Sequence, residues 1–232
     1  MKLTELQLLC KQHGLVLSDK QLSQYDRYAH FLIEYNQKVN LTAITDYEDI
    51  IEKHFYDSLL PSFMIAMNEE ICDVGAGAGF PSIPLKIAYP NLKVTILEPL
   101  HKRCVFLTEL VKQLELDNVI IKNVRAEDYA QKNRESYKLV TARAVANLSV
   151  LAELCIPLVK VDGIFLAMKG ANGKQEAIDA SNALKTLKVK LIKQEVVELS
   201  NQQTRVNMAY QKLEKTAKKY PRAYAKIKKQ PL

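Results

Sequence analysis

Residues 71–85, ICDVGAGAGFPSIPL, restrict the chain more than any other segment. An apolar run ends in three alternating glycines, Gly75, Gly77 and Gly79, followed by Phe80 and by Pro81 at the first turn of a helix. Glycine lets a backbone turn tightly and come close to a ligand with no Cβ in the way. The helix behind it offers unpaired N–H groups at a positive dipole end. A strand that runs into such a loop belongs to an open α/β sheet, and the loop sits beyond its carboxyl end, where such sheets bind ligands. Further strands are expected at 93–97, 118–121, 138–142, 163–168, 189–199 and 205–213. Helical patterns at about 101–114, 127–130, 148–158 and 174–187 lie between them. Apolar strands alternating with helices predict a mostly parallel sheet covered on both faces, closed by an edge hairpin.

The details of the loop narrow the ligand. A dinucleotide fingerprint reads G-x-G-x-x-G/A, and counted from Gly75 its last position falls on Phe80, which is too large. That disfavours a nicotinamide-dependent oxidoreductase. No G-x-x-x-x-G-K-[S/T] loop is present, which disfavours a phosphate-cradling NTP site as well. The acid expected at the end of the second strand is Glu98, placed for ribose hydroxyls. A nucleoside without pyrophosphate fits this combination, and S-adenosylmethionine is such a cofactor.

Residues 1–66 follow a helical period. A stripe of Leu22, Tyr25, Ala29 and Leu32, widened by Tyr28, Phe31 and Tyr35, reads as packing surface behind an N-cap at Ser18 or Asp19. A third helix starts behind Thr45 or Asp46 and is expected to stop at Pro61. The junction with the sheet falls near residue 68. This gives a helical extension (1–66) packed on the core, a sheet domain (67–213) and a basic tail (214–232). Cys10, Cys72, Cys104 and Cys155 lie far apart with no C-x-x-C spacing, so no structural metal site is expected. No apolar stretch approaches the roughly 20 residues of a membrane helix, and the first residues lack a signal-peptide core, so a cytoplasmic protein is expected. The formal charge of +7 is uneven: residues 211–232 hold eight Lys and Arg against one Glu, while the other 210 residues balance 25 basic against 25 acidic side chains. A cationic tail suits a polyanion such as nucleic acid.

Beyond the loop, the motifs EYNQKVNLTAIT (34–45), KHFYDSL (53–59), DVGAGAGFPSIPLKI (73–87), KRCVFL (102–107), RAEDY (125–129), TARAVANL (141–148), MKG (168–170) and KKYPR (218–222) occur in this order. Together they resemble the ribosomal RNA small-subunit methyltransferase G family, also called glucose-inhibited division protein B, over nearly the whole chain. The resemblance implies a class I S-adenosylmethionine-dependent methyltransferase fold, a Rossmann-like seven-stranded sheet behind a helical extension. It also implies methyl transfer from S-adenosylmethionine to N7 of a guanosine in 16S ribosomal RNA, free or in a small-subunit particle. A non-catalytic RNA-binding or assembly factor on the same fold is the alternative, disfavoured by the intact loop.

Carried over by position, the resemblance places Gly75, Ala76, Gly77, Gly79 and Phe80 on the cofactor loop. Glu98, Pro99 and Leu100 fall at the ribose edge, Ala126 and Glu127 near the adenine, and Arg143 beside the methionine end. The family more usually has Asp-Ser at Glu98-Pro99, Trp at Tyr35, and Gly and Pro at Ala225 and Ile227. Arg143 is a candidate for the cofactor carboxylate, a phosphate or guanine O6. Lys169, Lys218, Lys219 and Arg222 are candidates for RNA. His54 and Asp57, one helical turn apart, read as a pair supporting the pocket, with no catalytic role. The mechanism asks for little more, because guanine N7 carries an exposed lone pair and attacks without a general base. Neither the [D/N]-P-P-[Y/F] segment of amino-group methyltransferases nor a Pro-Cys nucleophile follows the fourth strand.

Overall fold

The structure, a computed structural model, describes residues 1–67, 70–143, 146–200 and 202–232. The junction near residue 68 and positions 144 and 145 of the TARAVANL motif lie outside the described residues.

Among the described residues seven strands form one sheet: β1 (Glu70–Val74), β2 (Lys93–Leu97), β3 (Val119–Lys122), β4 (Tyr137–Arg143), β5 (Val159–Lys169), β6 (Val189–Glu198) and β7 (Thr204–Lys212). Their order is β3-β2-β1-β4-β5-β7-β6. β1 to β5 pair in parallel, and β7 inserts antiparallel between β5 and β6, which makes the expected terminal hairpin. The strand order reverses between β1 and β4. Loops leaving those two carboxyl ends diverge there and open a crevice.

Helices α5 (Ser82–Ala88) and α6 (His101–Gln113) cover one face, joined by the N-terminal extension. The other face carries α7 (Ala126–Ala130), α8 (Leu148–Cys155), α9 (Gly173–Asp179) and α10 (Ser181–Thr186). The single helix expected over 174–187 is split at Ala180, whose own ψ of 4° is not helical. The extension comprises α1 (Leu3–Gln12), α2 (Asp19–Asn36), α3 (Tyr47–Ile50), a π-helical turn (Ile51–Tyr56) and α4 (Asp57–Met64). Ser18 caps α2 by accepting from the Gln21 N–H at 3.3 Å, and Gln21 returns its side chain to the Ser18 N–H at 2.8 Å. The aromatic stripe is core, as its period suggests. Tyr25, Tyr28 and Phe55 are fully buried, worth about 1.5–3 kcal/mol each. Tyr25 Oη donates to the Pro84 carbonyl at 2.8 Å, Gln21 Nε2 to the Ile87 carbonyl at 2.7 Å, and Tyr28 Oη to the Ala78 carbonyl. These bonds fix α2 on the segment that follows the glycine loop.

Pro61 does not end its helix. α4 runs through it to Met64, because only one N–H is lost while Leu59, Leu60 and Met64 stay buried. The π turn just upstream carries His54, which lines the cavity described below.

The C-terminal segment is docked, including α11 (Tyr224–Lys229). Tyr220, Pro221 and Ile227 are buried. Arg134 Nη2 donates to the Thr216 carbonyl at 2.7 Å and Arg134 Nη1 to that of Tyr220. Lys212 is fully buried, donating to the Val159 carbonyl at 2.7 Å beside Glu135 at 3.2 Å. All four cysteines are free and buried, and burial pushes the Cys10 thiol up to about 12. Among the described residues no helix is long and apolar enough to cross a membrane, and no group of three or more His, Cys, Asp or Glu is arranged to hold a metal.

Candidate active site

The glycine loop leaves β1 at the crevice. The Gly75 N–H donates to the Leu97 carbonyl at 2.8 Å, which ties the loop to the end of β2. There the Glu98 carboxylate accepts from the Gly77 N–H at 3.1 Å through Oε2 and from the Leu100 N–H at 3.0 Å through Oε1. Each oxygen keeps capacity to accept from a hydroxyl. Gly77 has φ of +61°, and a Cβ there would meet only the flexible end of Arg103, at 4.0 Å. The backbone face at Gly77 is therefore open to a ligand. Gly79 serves a different end. With φ of +102°, its Cβ would strike Ile83 Cγ1 and Tyr28 Oη, both at 2.8 Å. The packing role of a dinucleotide motif's third glycine is thus filled by Gly79, and Phe80 is free to turn into Tyr28, Phe55 and His54. An acid touching a glycine backbone fits a ribose diol beside a nucleoside, and nothing in the loop is built for a pyrophosphate.

Asn123 Nδ2 donates to the Glu98 and Pro99 carbonyls at 3.0 and 2.9 Å, so the β2 and β3 loops are joined. Ala126 and Glu127 open α7 just beyond, both buried. Burial raises the Glu127 carboxyl above its ordinary value. Pro99 and Leu100 are exposed on the rim. Asp73, fully buried at the end of β1, accepts from the Ser82 N–H at 3.2 Å. Burial raises it to about 7, with the Ser82 hydrogen bonds opposing.

A cavity of about 510 Å³ lies beyond the ends of β4 and β5, walled on its far side by the extension. Arg143, the last residue of β4, joins it to the loop. Its guanidinium carbon lies 4.6 Å from the centre of the Phe80 ring, and its Nη1 donates to Asp57 Oδ2 at 2.9 Å and to the Lys53 carbonyl at 3.3 Å. Its Nη2 lies 3.0 Å from His54 Nδ1. Asp57 is shared with Arg205, whose Nε is 3.2 Å from Oδ1. Lys53, Asn147, Lys169, Glu176 and Arg205 complete the polar wall.

The proposed RNA contacts separate. Lys218 and Lys219 are exposed. Arg222 is not available in the way expected: Glu153, fully buried, accepts from its Nε at 2.8 Å, its Nη2 at 2.6 Å and its backbone N–H at 2.9 Å. Lys169 lines the cavity, yet its Nζ is 2.6 Å from Glu176 Oε2 and donates to the Ala146 carbonyl at 2.6 Å. Its charge is already neutralised. A counter-charge is the reason for both corrections: the buried Glu153, 69 residues away, for Arg222, and the partly exposed Glu176, one α-helix further along the chain, for Lys169. Sequence reading missed the walls formed by Arg205, Glu176 and Asn147, since a cation inside a strand carries no local sign of what it faces. It also left Asp57 without its partners Arg143 and Arg205, 86 and 148 residues away in the chain.

Comparison with known proteins agrees with this geometry. Residues 21–207 match the family model for rRNA small subunit methyltransferase G. The chain is 48% identical to the Ribosomal RNA small subunit methyltransferase G of Lysinibacillus sphaericus over 227 residues, covering 96% of this chain and 95% of the relative. It is 46% identical to the protein of the same name from Bacillus cereus over 237 residues, covering 100% and 99%. Among solved structures it is similar to M. jannaschii TYW2 in complex with AdoMet, with a TM-score of 0.55 and 19% identity over 68% of this chain and 75% of that one. The YcgJ protein of Bacillus subtilis gives the same TM-score at 11% identity, over 69% and 100%. These likenesses show the class I methyltransferase fold. The loop, the acid beside it and the full-length matches lead to one statement: this chain belongs to the rRNA small subunit methyltransferase G family.

Proposed function

We propose that the protein transfers a methyl group from S-adenosylmethionine to N7 of a guanosine in 16S ribosomal RNA. The observation that carries the reading is the contact between the Gly77 backbone and the Glu98 carboxylate, on a loop whose Phe80 lies under the Arg143 guanidinium at the edge of a cavity of about 510 Å³. In this reading Gly75, Ala76 and Gly77 give the backbone surface, Glu98 accepts from the ribose hydroxyls, and Pro99 and Leu100 flank it. Ala126 and Glu127 border the adenine, and Arg143 with Phe80 bounds the methionine end. When bound, S-adenosylmethionine supplies an electrophilic sulfonium methyl. The chain's work is placement. Guanine N7 carries its own lone pair, so holding it in line with the methyl supplies several kcal/mol of the acceleration. No side chain has to remove a proton before the attack. A two-point grip of one arginine on O6 and N7 is incompatible with reaction, because N7 must face the methyl.

The exposed Lys218 and Lys219, and the exposed Lys226, Lys228 and Lys229 that follow in α11, supply attraction to RNA phosphates. A small-subunit particle in the cytoplasm is the expected setting. The extension (1–66), the methyltransferase domain (67–213) and the basic tail (214–232) are the working division of the chain. The decisive experiment maps N7-methylguanosine in 16S RNA by reverse transcription, in cells with and without the gene. Loss of one methylated position on deletion, restored by the gene, is expected. If every such position survives deletion, the assignment is wrong.

A further inference from the structure

His54 lies in the π turn of the extension, outside the loop and outside the sheet, yet two of its contacts converge on Arg143. Its ring stacks on Phe80 with centroids 4.3 Å apart, and the Arg143 guanidinium lies over the same ring. Its Nδ1 faces Arg143 Nη2 at 3.0 Å, and its Nε2 faces Thr42 Oγ1 at 2.8 Å. A guanidinium has only donors, so Nδ1 is the acceptor and the ring proton is on Nε2, donated to Thr42. Thr42 is itself held: Asn36 Oδ1 accepts from the Leu41 and Thr42 N–H groups at 2.7 and 3.0 Å, and Asn36 Nδ2 donates to the Thr42 carbonyl at 2.9 Å.

We propose that His54 is a positioning residue, a fixed neutral acceptor that locks the Arg143 guanidinium in the orientation that receives the cofactor carboxylate. Asp57 and the Lys53 carbonyl hold one nitrogen of the guanidinium and His54 the other, so it has no freedom to rotate. Three of the five N–H donors are then committed, and among the described residues the other two have no protein partner. A carboxylate is the ligand that such a remainder suits. Burial, and then the Arg143 charge, hold the His54 ring down at about 3, so it stays an acceptor under ordinary conditions. The inference rests on the cofactor reading given above, and it assigns a part of the site to the extension.

The test uses full-length protein, S-adenosylhomocysteine and calorimetry. An asparagine amide oxygen reaches the place of Nδ1, whereas a glutamine amide reaches only that of Nε2. Both variants lose the ring on Phe80. His54→Gln is expected to weaken binding about tenfold, and His54→Asn about threefold or less. On an Arg143→Ala background, itself weakened, His54→Gln is expected to add nothing, because it acts through Arg143. Melting curves control for folding. If His54→Gln does not fold, Thr42→Val removes the partner of Nε2 and is expected to weaken binding severalfold. Equal losses in His54→Asn and His54→Gln would reduce the residue to packing and overturn the proposal. So would a His54→Gln effect that persists in full without Arg143. If the wild-type protein itself fails to bind S-adenosylhomocysteine, the cofactor reading fails first and takes the proposal with it.

Discussion

Replacing Arg222 by alanine separates a buried strap from a nucleic-acid contact. Its guanidinium and backbone N–H give Glu153 three of its hydrogen bonds, at 2.8, 2.6 and 2.9 Å, and the Glu153 side chain is wholly buried. Arg222→Ala leaves that carboxylate with the backbone N–H alone. Breaking a buried pair by removing one partner costs about 3–5 kcal/mol, because the other charge stays out of water. At roughly 2–4 °C of melting temperature per kcal/mol for a chain of this size, the expected loss is about 6–20 °C. Circular dichroism melts and urea titration measure it. Replacing both partners, as in Arg222→Met with Glu153→Leu, is expected to recover most of the loss, since no charge is then stranded. The same protein is titrated with a 16S RNA fragment at several salt concentrations, well below its melting point. The slope of log affinity against log salt is expected to match that of wild type, as Arg222 neutralises no phosphate. A loss below about 1 kcal/mol would place the pair among ordinary surface pairs. A slope shallower by about one phosphate would return Arg222 to the RNA interface. Either result refutes the reasoning.

Four further outcomes are expected. The Lys218→Ala, Lys219→Ala double variant keeps its melting temperature but has a salt slope shallower by about 1.4–1.8, at roughly 0.7–0.9 per phosphate; an unchanged slope removes these lysines from the interface. Gly79→Ala loses both stability, by about 2 kcal/mol or more, and cofactor affinity, since its Cβ strikes Ile83 and Tyr28 at φ of +102°. Gly77→Ala has room for the atom, so its stability falls by only about 1–2 kcal/mol while calorimetric cofactor binding is lost. The fourth concerns pH. His54 has its ordinary value of 6.5 when unfolded and about 3 when folded, so below pH 6.5 the unfolded chain binds the extra proton. Stability from this group is therefore fully present above 6.5 and falls as pH drops toward 3, by about 1.4 kcal/mol per unit. Subtracting the urea-derived stability curve of His54→Asn from that of wild type isolates it, and a flat difference between pH 4 and 6 would show that His54 is not buried as described.

The sequence made the alternation of strands and helices and the glycine loop readable for one shared reason: both are local. Gly75 to Phe80 is a run of adjacent residues whose backbone demands are visible in the letters, and Glu98 follows one strand later. The aromatic stripe through Tyr25 and Tyr28 could be assigned to core because helical spacing alone decides which face is apolar. The cavity was a different matter. Its wall combines Lys53 and Asp57 from the extension with Arg143 from β4, Lys169 from β5 and Arg205 from β7. Whether a cation is free or paired depends on an acid that only the fold brings near, as Glu153 is brought to Arg222. For the same reason the count of basic residues in the tail overstated what it offers outward: Lys212 and Arg222 are turned inward. Pro61 misled for the opposite reason, a strong local signal overridden by the burial of Leu59, Leu60 and Met64.

The four buried thiols give the molecule its own opening clocks. Burial holds each thiol above its ordinary value, so a thiol reagent meets little thiolate until the chain opens around it. They are also distributed: Cys10 sits in the extension, Cys104 in α6 beside the loop, and Cys72 and Cys155 across the sheet from the extension. Single-cysteine versions, labelled under native conditions, would time the release of each region separately. Equal rates would mean that extension and sheet open as one cooperative unit, whereas faster labelling at Cys10 would mean that the wall behind Arg143 lifts away while the sheet stays closed.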